Sequence, residues 1–226
     1  MENTNEEKNF SDVLGGFFAK TQKFWIVFLI LLVVVAVGVG VFTTVSAKSK
    51  MNGANFLDSA VYNLMKANST LEGDELVAAE EKFLSEVKAF ADSNGKNGNT
   101  VRAYMMIAET YFKNGDWQNS LDAWVKAGDL AKSYLAGISY YNAAVCYEQL
   151  ADVTNAEKYY SLALNNDSFE LKPHAMFSLA RLLETQGKTE KAIVEYKNIL
   201  NTYSDSEWAD LANSRLILID TQVVSE

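Results

Sequence analysis

The chain has 226 residues, 49% of them hydrophobic, with 20 basic against 29 acidic residues and a formal net charge of −9. That length supports a solid core, and the acid excess argues against a nucleic-acid surface. Cys146 is the only cysteine and His174 the only histidine, which excludes an internal disulfide and leaves transition-metal chemistry to carboxylates almost alone.

In chain order, residues 1–23 read as a short tail carrying Glu2, Glu6, Glu7 and Asp12 beside Lys8, Lys20 and Lys23. Phe10, Val13, Leu14, Phe17 and Phe18 recur at helical spacing after Ser11. They predict either a short interfacial helix or, because Gly15 and Gly16 weaken it, an unstructured lead-in with exposed aromatics. Residues 24–47 carry no charge. At the helical rise they reach about 36 Å, more than the roughly 30 Å of a bilayer's hydrocarbon, and so predict one transmembrane helix with Phe24 and Trp25 at the interface. Val45, Ser46 and Ala47 also satisfy the small-residue rule for a signal cleavage site, so removal after Ala47 is the rival reading. The acidic leader and the length of the apolar run favour an uncleaved anchor. Ala36 and Gly40 give that helix a small face for contact with another membrane helix. Lysines are balanced on the two sides, so charge bias does not orient the span. Its place before a large domain favours a cytoplasmic tail and a C-terminal domain outside the cytoplasm.

Residues 48–55 read as a linker. Phe56, Leu57, Ala60 and Leu64 then open a helix, and after the loop NSTLEGD a second is expected from about Glu75 to Asp92. Leu76, Ala79, Phe83, Val87 and Phe90 share one face of the second, with Asp74 as its N-cap. Residues 56–94 therefore read as a degenerate leading repeat.

Three stretches beginning at Val101, Gly137 and Pro173, with starts 36 residues apart, repeat one helical pattern. Tyr104, Ile107, Ala108 and Tyr111 precede a turn at Gly115, then Trp117, Ser120, Trp124 and Ala127 follow. Tyr140, Ala143, Ala144 and Tyr147 precede Ala151, then Val153, Ala156, Tyr160 and Ala163 follow. Met176, Leu179, Ala180 and Leu183 precede Gly187, then Thr189, Ala192, Tyr196 and Ile199 follow. Ala108, Ala144 and Ala180 are small where two antiparallel helices must approach; Trp124, Tyr160 and Tyr196 are large where units must be filled. The pattern resembles the tetratricopeptide repeat family and implies an all-α solenoid of stacked helix pairs. Pro173, the only proline, suits the first turn of a helix. A last helix, about residues 206–219, carries Trp208, Leu211, Ala212, Leu216 and Ile219, with Ser206 or Asp205 at its start, and reads as a cap on the array within a repeat domain spanning 56–226.

No phosphate-cradling loop and no catalytic constellation is legible, and Cys146 between Val145 and Tyr147 reads as a small core residue. The expectation is a non-enzymatic protein without cofactors. The family resemblance implies a partner-binding groove lined by Arg102, Met105, Glu109 and Phe112, by Ile138, Tyr141, Val145 and Glu148, and by His174, Phe177, Arg181 and Glu184. The alternative for any one of these is packing against a neighbouring loop. A carboxylate-clamp groove is not expected, since only Asn142 agrees with it while Met105, Glu109 and Ser178 do not.

The layout of tail, single span and degenerate repeats is similar to the YfgM-like ancillary subunits of the bacterial Sec translocon. That resemblance implies a single-pass inner-membrane protein, N-terminus cytoplasmic and C-terminal domain periplasmic. It would bind unfolded polypeptides or protein partners, among them Sec subunits and periplasmic chaperones, and no nucleic acid or small-molecule substrate. The alternative is a cell-envelope scaffold or adaptor binding one specific protein partner.

Overall fold

A computed structural model describes residues 10–223. Its elements are α1 (Phe10–Thr70), α2 (Gly73–Ser93), α3 (Gly98–Lys113), α4 (Trp117–Leu130), α5 (Tyr134–Gln149), α6 (Val153–Leu164), α7 (Lys172–Thr185), α8 (Thr189–Thr202) and α9 (Glu207–Val223). Among the described residues there is no strand, in agreement with the all-α expectation. The chain divides into two compact units, Met1–Gly53 and Ala54–Glu226. Glu2, Glu6, Glu7 and Lys8 of the expected tail lie outside the described residues.

In the first unit α1 contains, within Lys23–Thr70, a stretch long and apolar enough to cross a membrane, with mean hydropathy 3.1 and none of it buried. Thr43 and Thr44 donate their hydroxyls back to the Gly40 carbonyl at 3.0 and 2.8 Å, so these polar groups need no external partner. Residues 48–55, expected as a linker, are helical. Ala47, Lys48, Lys50 and Met51 are good helix formers, and the one interior glycine, Gly53, costs only about 1 kcal/mol against them.

In the second unit the remainder of α1 packs on α2. Leu57 is fully buried with Phe83 and Val87, and Phe56 stacks on Phe90 at 4.9 Å. The α2 helix starts earlier than expected. Glu72, in extended conformation and without a side-chain bond, occupies the N-cap, and Asp74 lies in the first turn instead. There a carboxylate still favours the positive end of the helix dipole. Only Leu71 and Glu72 of the expected NSTLEGD loop stand outside helices.

Three helix pairs follow, α3/α4, α5/α6 and α7/α8, then α9. They are joined within each pair by the same turn, because one stereochemical solution closes each first helix. At Gly115, Ala151 and Gly187 φ is +75°, +59° and +72°. The next residue's N–H reaches back to a carbonyl five residues earlier: Asp116 to Tyr111, Asp152 to Tyr147 and Lys188 to Leu183, each at 2.9 Å. This is the Schellman closure, with its second bond from Gly115 to Phe112, Ala151 to Glu148 and Gly187 to Glu184. Asp116 and Asp152 then cap the following helices, accepting from the N–H groups of Asn119 and Asn155. Lys188 cannot, so α8 starts without a side-chain cap. At the last helix Ser206 Oγ accepts from the Ala209 N–H at 3.3 Å.

The small and large positions fall as the pattern requires. Ala108, Ala144, Ala180, Ser120, Ala156 and Ala192 are fully buried, and Trp124, Tyr160 and Tyr196 are at most 3% exposed. Two core clusters form, and α5 serves both: Ala143 and Cys146 face the first, Ala144 the second. Ser120 hides its hydroxyl by donating to the Ala108 carbonyl at 2.8 Å, and Cys146 Sγ sits 3.4 Å from that hydroxyl. Burial pushes the Cys146 thiol pKa up, which suits a packing role. Where the loop after α6 crosses α5, Phe169 lies so close to Gly137 that a Cβ there would come within 2.6 Å of it.

Candidate functional site

The first helices of the second and third pairs, with α9, enclose a cleft of about 300 Å³. Its walls are Tyr141, Val145, Glu148 and Gln149 from α5, Tyr160 from α6, His174, Phe177, Ser178 and Arg181 from α7, and Trp208 from α9. The aromatic wall is continuous. Tyr141 lies over His174 with ring centres 4.9 Å apart, His174 stacks on Trp208 at 4.0 Å and 13°, and Phe177 meets Trp208 at 5.5 Å. The Tyr141 hydroxyl and His174 Nε2 are 2.8 Å apart. Burial holds the imidazole pKa below its ordinary value, with the Glu207 carboxylate pulling the other way, so at neutral pH the ring is uncharged and packs as an aromatic face.

The polar floor is a bonded ladder. The Tyr160 hydroxyl donates to Glu148, which also binds the Arg181 guanidinium across the junction between the second and third pairs. One junction later Tyr196 donates to Glu184 at 3.0 Å, and Glu184 binds Arg215 of α9. Burial, with the hydrogen bond to Glu148, pushes the Tyr160 hydroxyl pKa well up; the same causes at Glu184 push Tyr196 up to about 12. The first pair departs from this rule. Phe112 stands where Glu148 and Glu184 stand, Val145 where Arg181 stands, and Trp124 where the tyrosines stand. With no carboxylate at that place, the buried Trp124 Nε1 has no protein partner among the described residues.

Of the twelve expected groove residues, the cleft brings together Tyr141, Val145, Glu148, His174, Phe177 and Arg181. Glu184 belongs to the next rung. Ile138 packs against the second core cluster and Met105 against the first. Arg102 is held by Asp58 at 2.6 Å, and Phe112 meets Trp117 edge-on with centres 4.9 Å apart. Glu109 is exposed as a residue, yet desolvation of its carboxyl raises the pKa. Ala36 and Gly40 are exposed on α1. Trp208 and Tyr160, in sequence a cap residue and a filler residue, join the site as well. The repeat period does not point to Trp208, which lies 34 residues after His174, two short of the 36-residue spacing.

Chemically the cleft offers aromatic faces above an ion pair already satisfied internally. It suits an apolar, aromatic or prolyl side chain more than a free charge.

A domain of unknown function, DUF6340, matches residues 106–202. The chain is similar to a TPR repeat-containing protein of Treponema pallidum, 29% identical over 149 residues, which are 65% of this chain and 62% of that protein. It is also similar to response regulator aspartate phosphatase J of Bacillus subtilis, 32% identical over 97 residues, 40% of this chain and 26% of that protein. The chain thus spans less than two thirds of the length of either relative. Among solved structures the apo form of RapI superposes with a TM-score of 0.54 at 14% identity, covering 71% of this chain and 45% of that one. Fold, repeat pattern and relatives agree: the second unit is a helical solenoid of the tetratricopeptide type.

Proposed function

We propose that the repeat domain binds polypeptide, seating an apolar or aromatic side chain of its partner against Tyr141, His174, Phe177 and Trp208. The chain is held at a membrane by the apolar stretch of α1. The observation that carries this reading is the open aromatic wall whose nearby charges, Glu148 and Arg181, are spent on each other. Binding there costs no unpaired buried ion, and a rigid wall loses little entropy on contact. Support also comes from the name of the Treponema pallidum relative as a repeat protein. In the finer form of the proposal the protein is non-enzymatic and sits in the bacterial inner membrane with its tail in the cytoplasm. It associates with the Sec translocon through its span and passes emerging chains to periplasmic chaperones. The prearranged ladder favours a second reading, a scaffold with one defined partner, because a fixed cleft discriminates between side chains.

The test is quantitative mass spectrometry of what co-purifies with the full-length chain in mild detergent, beside a version with residues 24–47 replaced by an unrelated span. Sec subunits enriched with the native chain and lost on replacement support the translocon form. One partner that survives replacement supports the scaffold. Exchanging Tyr141 and Phe177 together for serine is expected to cut partner recovery at least about tenfold with helicity intact; undiminished recovery removes the cleft from the function.

A further inference from the structure

A second cleft, of about 450 Å³, lies between α8 and α9, lined by Ile193 and Lys197 from α8 and by Leu216, Ile217, Ile219 and Asp220 from α9. Beside it Ile217 and Leu218 are 57% and 50% exposed. The ladder supplies the register of this face. Arg215 binds Glu184 as Arg181 binds Glu148, so Ile217 stands where Leu183 stands one repeat earlier. Leu183 is 4% exposed, packed in one cluster with Ala192 and Tyr196 of α8. The apolar face of α9 is therefore one that, a repeat earlier, another helix covers.

The rim says which helix fits. Lys197 and Asp220 are exposed, opposite in sign and without an ion-pair partner among the described residues. A foreign acidic or basic helix would satisfy one of them and repel the other. A two-fold axis satisfies both, setting each copy's Lys197 against the other's Asp220 while Ile217 and Leu218 bury against their equivalents. We propose that this face pairs two copies of the chain through an isologous contact centred on α9. It shares no lining residue with the aromatic cleft and does not depend on the polypeptide-binding reading.

The experiment is native mass spectrometry and light scattering of the full-length chain in mild detergent over a dilution series. The expected species is a dimer. Ile217→Asp is expected to raise its dissociation constant at least about tenfold, with the circular dichroism unchanged because the side chain is largely exposed. Lys197→Glu and Asp220→Lys are each expected to weaken the dimer, and the two together in one chain to restore it. A monomer at every concentration overturns the proposal. So does a dimer indifferent to Ile217→Asp, as one held through α1 would be, or a charge exchange no tighter than its single variants.

Discussion

Ala151 shows how a repeat tolerates a residue it would not choose. Its φ of +59° matches Gly115 and Gly187 in the same turn, but a Cβ in the left-handed region costs energy that glycine does not. The turn survives because both Schellman bonds, to Glu148 and Tyr147, are formed. Ala151→Gly is expected to stabilise the fold by about 0.5–1 kcal/mol, after glycine's greater entropy loss is deducted. Thermal melting reads this as a rise of roughly 1–4 °C. His174 carries a pH signature. Its folded pKa lies below the ordinary value of 6.5 because burial penalises the cation. The unfolded chain then binds the proton more readily, so the contribution is complete above pH 6.5 and is lost as pH falls below it. The melting temperature of the native chain is expected to fall between neutral and mildly acidic pH more steeply than that of His174→Asn. Identical slopes would mean that the ring is not desolvated by Tyr141 and Trp208. Glu109, whose folded pKa is raised, works with the opposite sign and is common to both proteins.

Helix contacts depend on size more than on chemistry. Ala144 is fully buried where α5 meets the second cluster, and interiors at crystal-like density have no room for nine more heavy atoms. Ala144→Trp is expected to destabilise by at least about 3 kcal/mol and to lower the melting temperature by roughly 6–12 °C; an unchanged melt would refute the register in which α5 and α6 pack. The ladder is the other device at this scale. Tyr160, Glu148 and Arg181 tie three helices, and Tyr196, Glu184 and Arg215 repeat the arrangement one junction on. Each rung satisfies a tyrosine hydroxyl that would otherwise be orphaned in the core, which matters more than the attraction of a half-exposed ion pair. The first pair, with Phe112 and Trp124, closes the same space by apolar volume alone.

As a whole the molecule is two compact units whose surfaces ask for different solvents. The exposed side chains of residues 26–42 on α1 are almost all aliphatic or aromatic, whereas the second unit gathers most of its buried apolar residues in two adjoining clusters. A chain beginning at Ala54 is expected to stay in solution without detergent, with the helicity of the second unit retained by circular dichroism. Aggregation or loss of helicity would mean that the upstream half of α1 is part of that core. Much of this organisation is legible in sequence, because an apolar run without charge and a repeat of fixed period are both one-dimensional signals. Less legible are the details that neighbours override. The expected linker at 48–55 is helix, and Asp74 is in a first turn rather than at a cap. Which six groove positions converge is set by their neighbours in space, some far along the chain, as Asp58 is from Arg102, and some just across a turn, as Trp117 is from Phe112.

By itself the sequence determined the helical class, the spacing of the repeats, the small and large positions of each pair and the apolar stretch of α1. All of these follow from local periodicity and side-chain volume. The tertiary structure decided which groove residues meet, that Glu148 and Arg181 neutralise each other, and that Trp208 closes the aromatic wall over His174. The reason is physical. A helix repeats every few residues and announces its buried face in sequence, but partners 33 or 34 positions apart, as Glu148 and Arg181 or His174 and Trp208 are, become neighbours only when the stacking of successive pairs sets their distance and orientation.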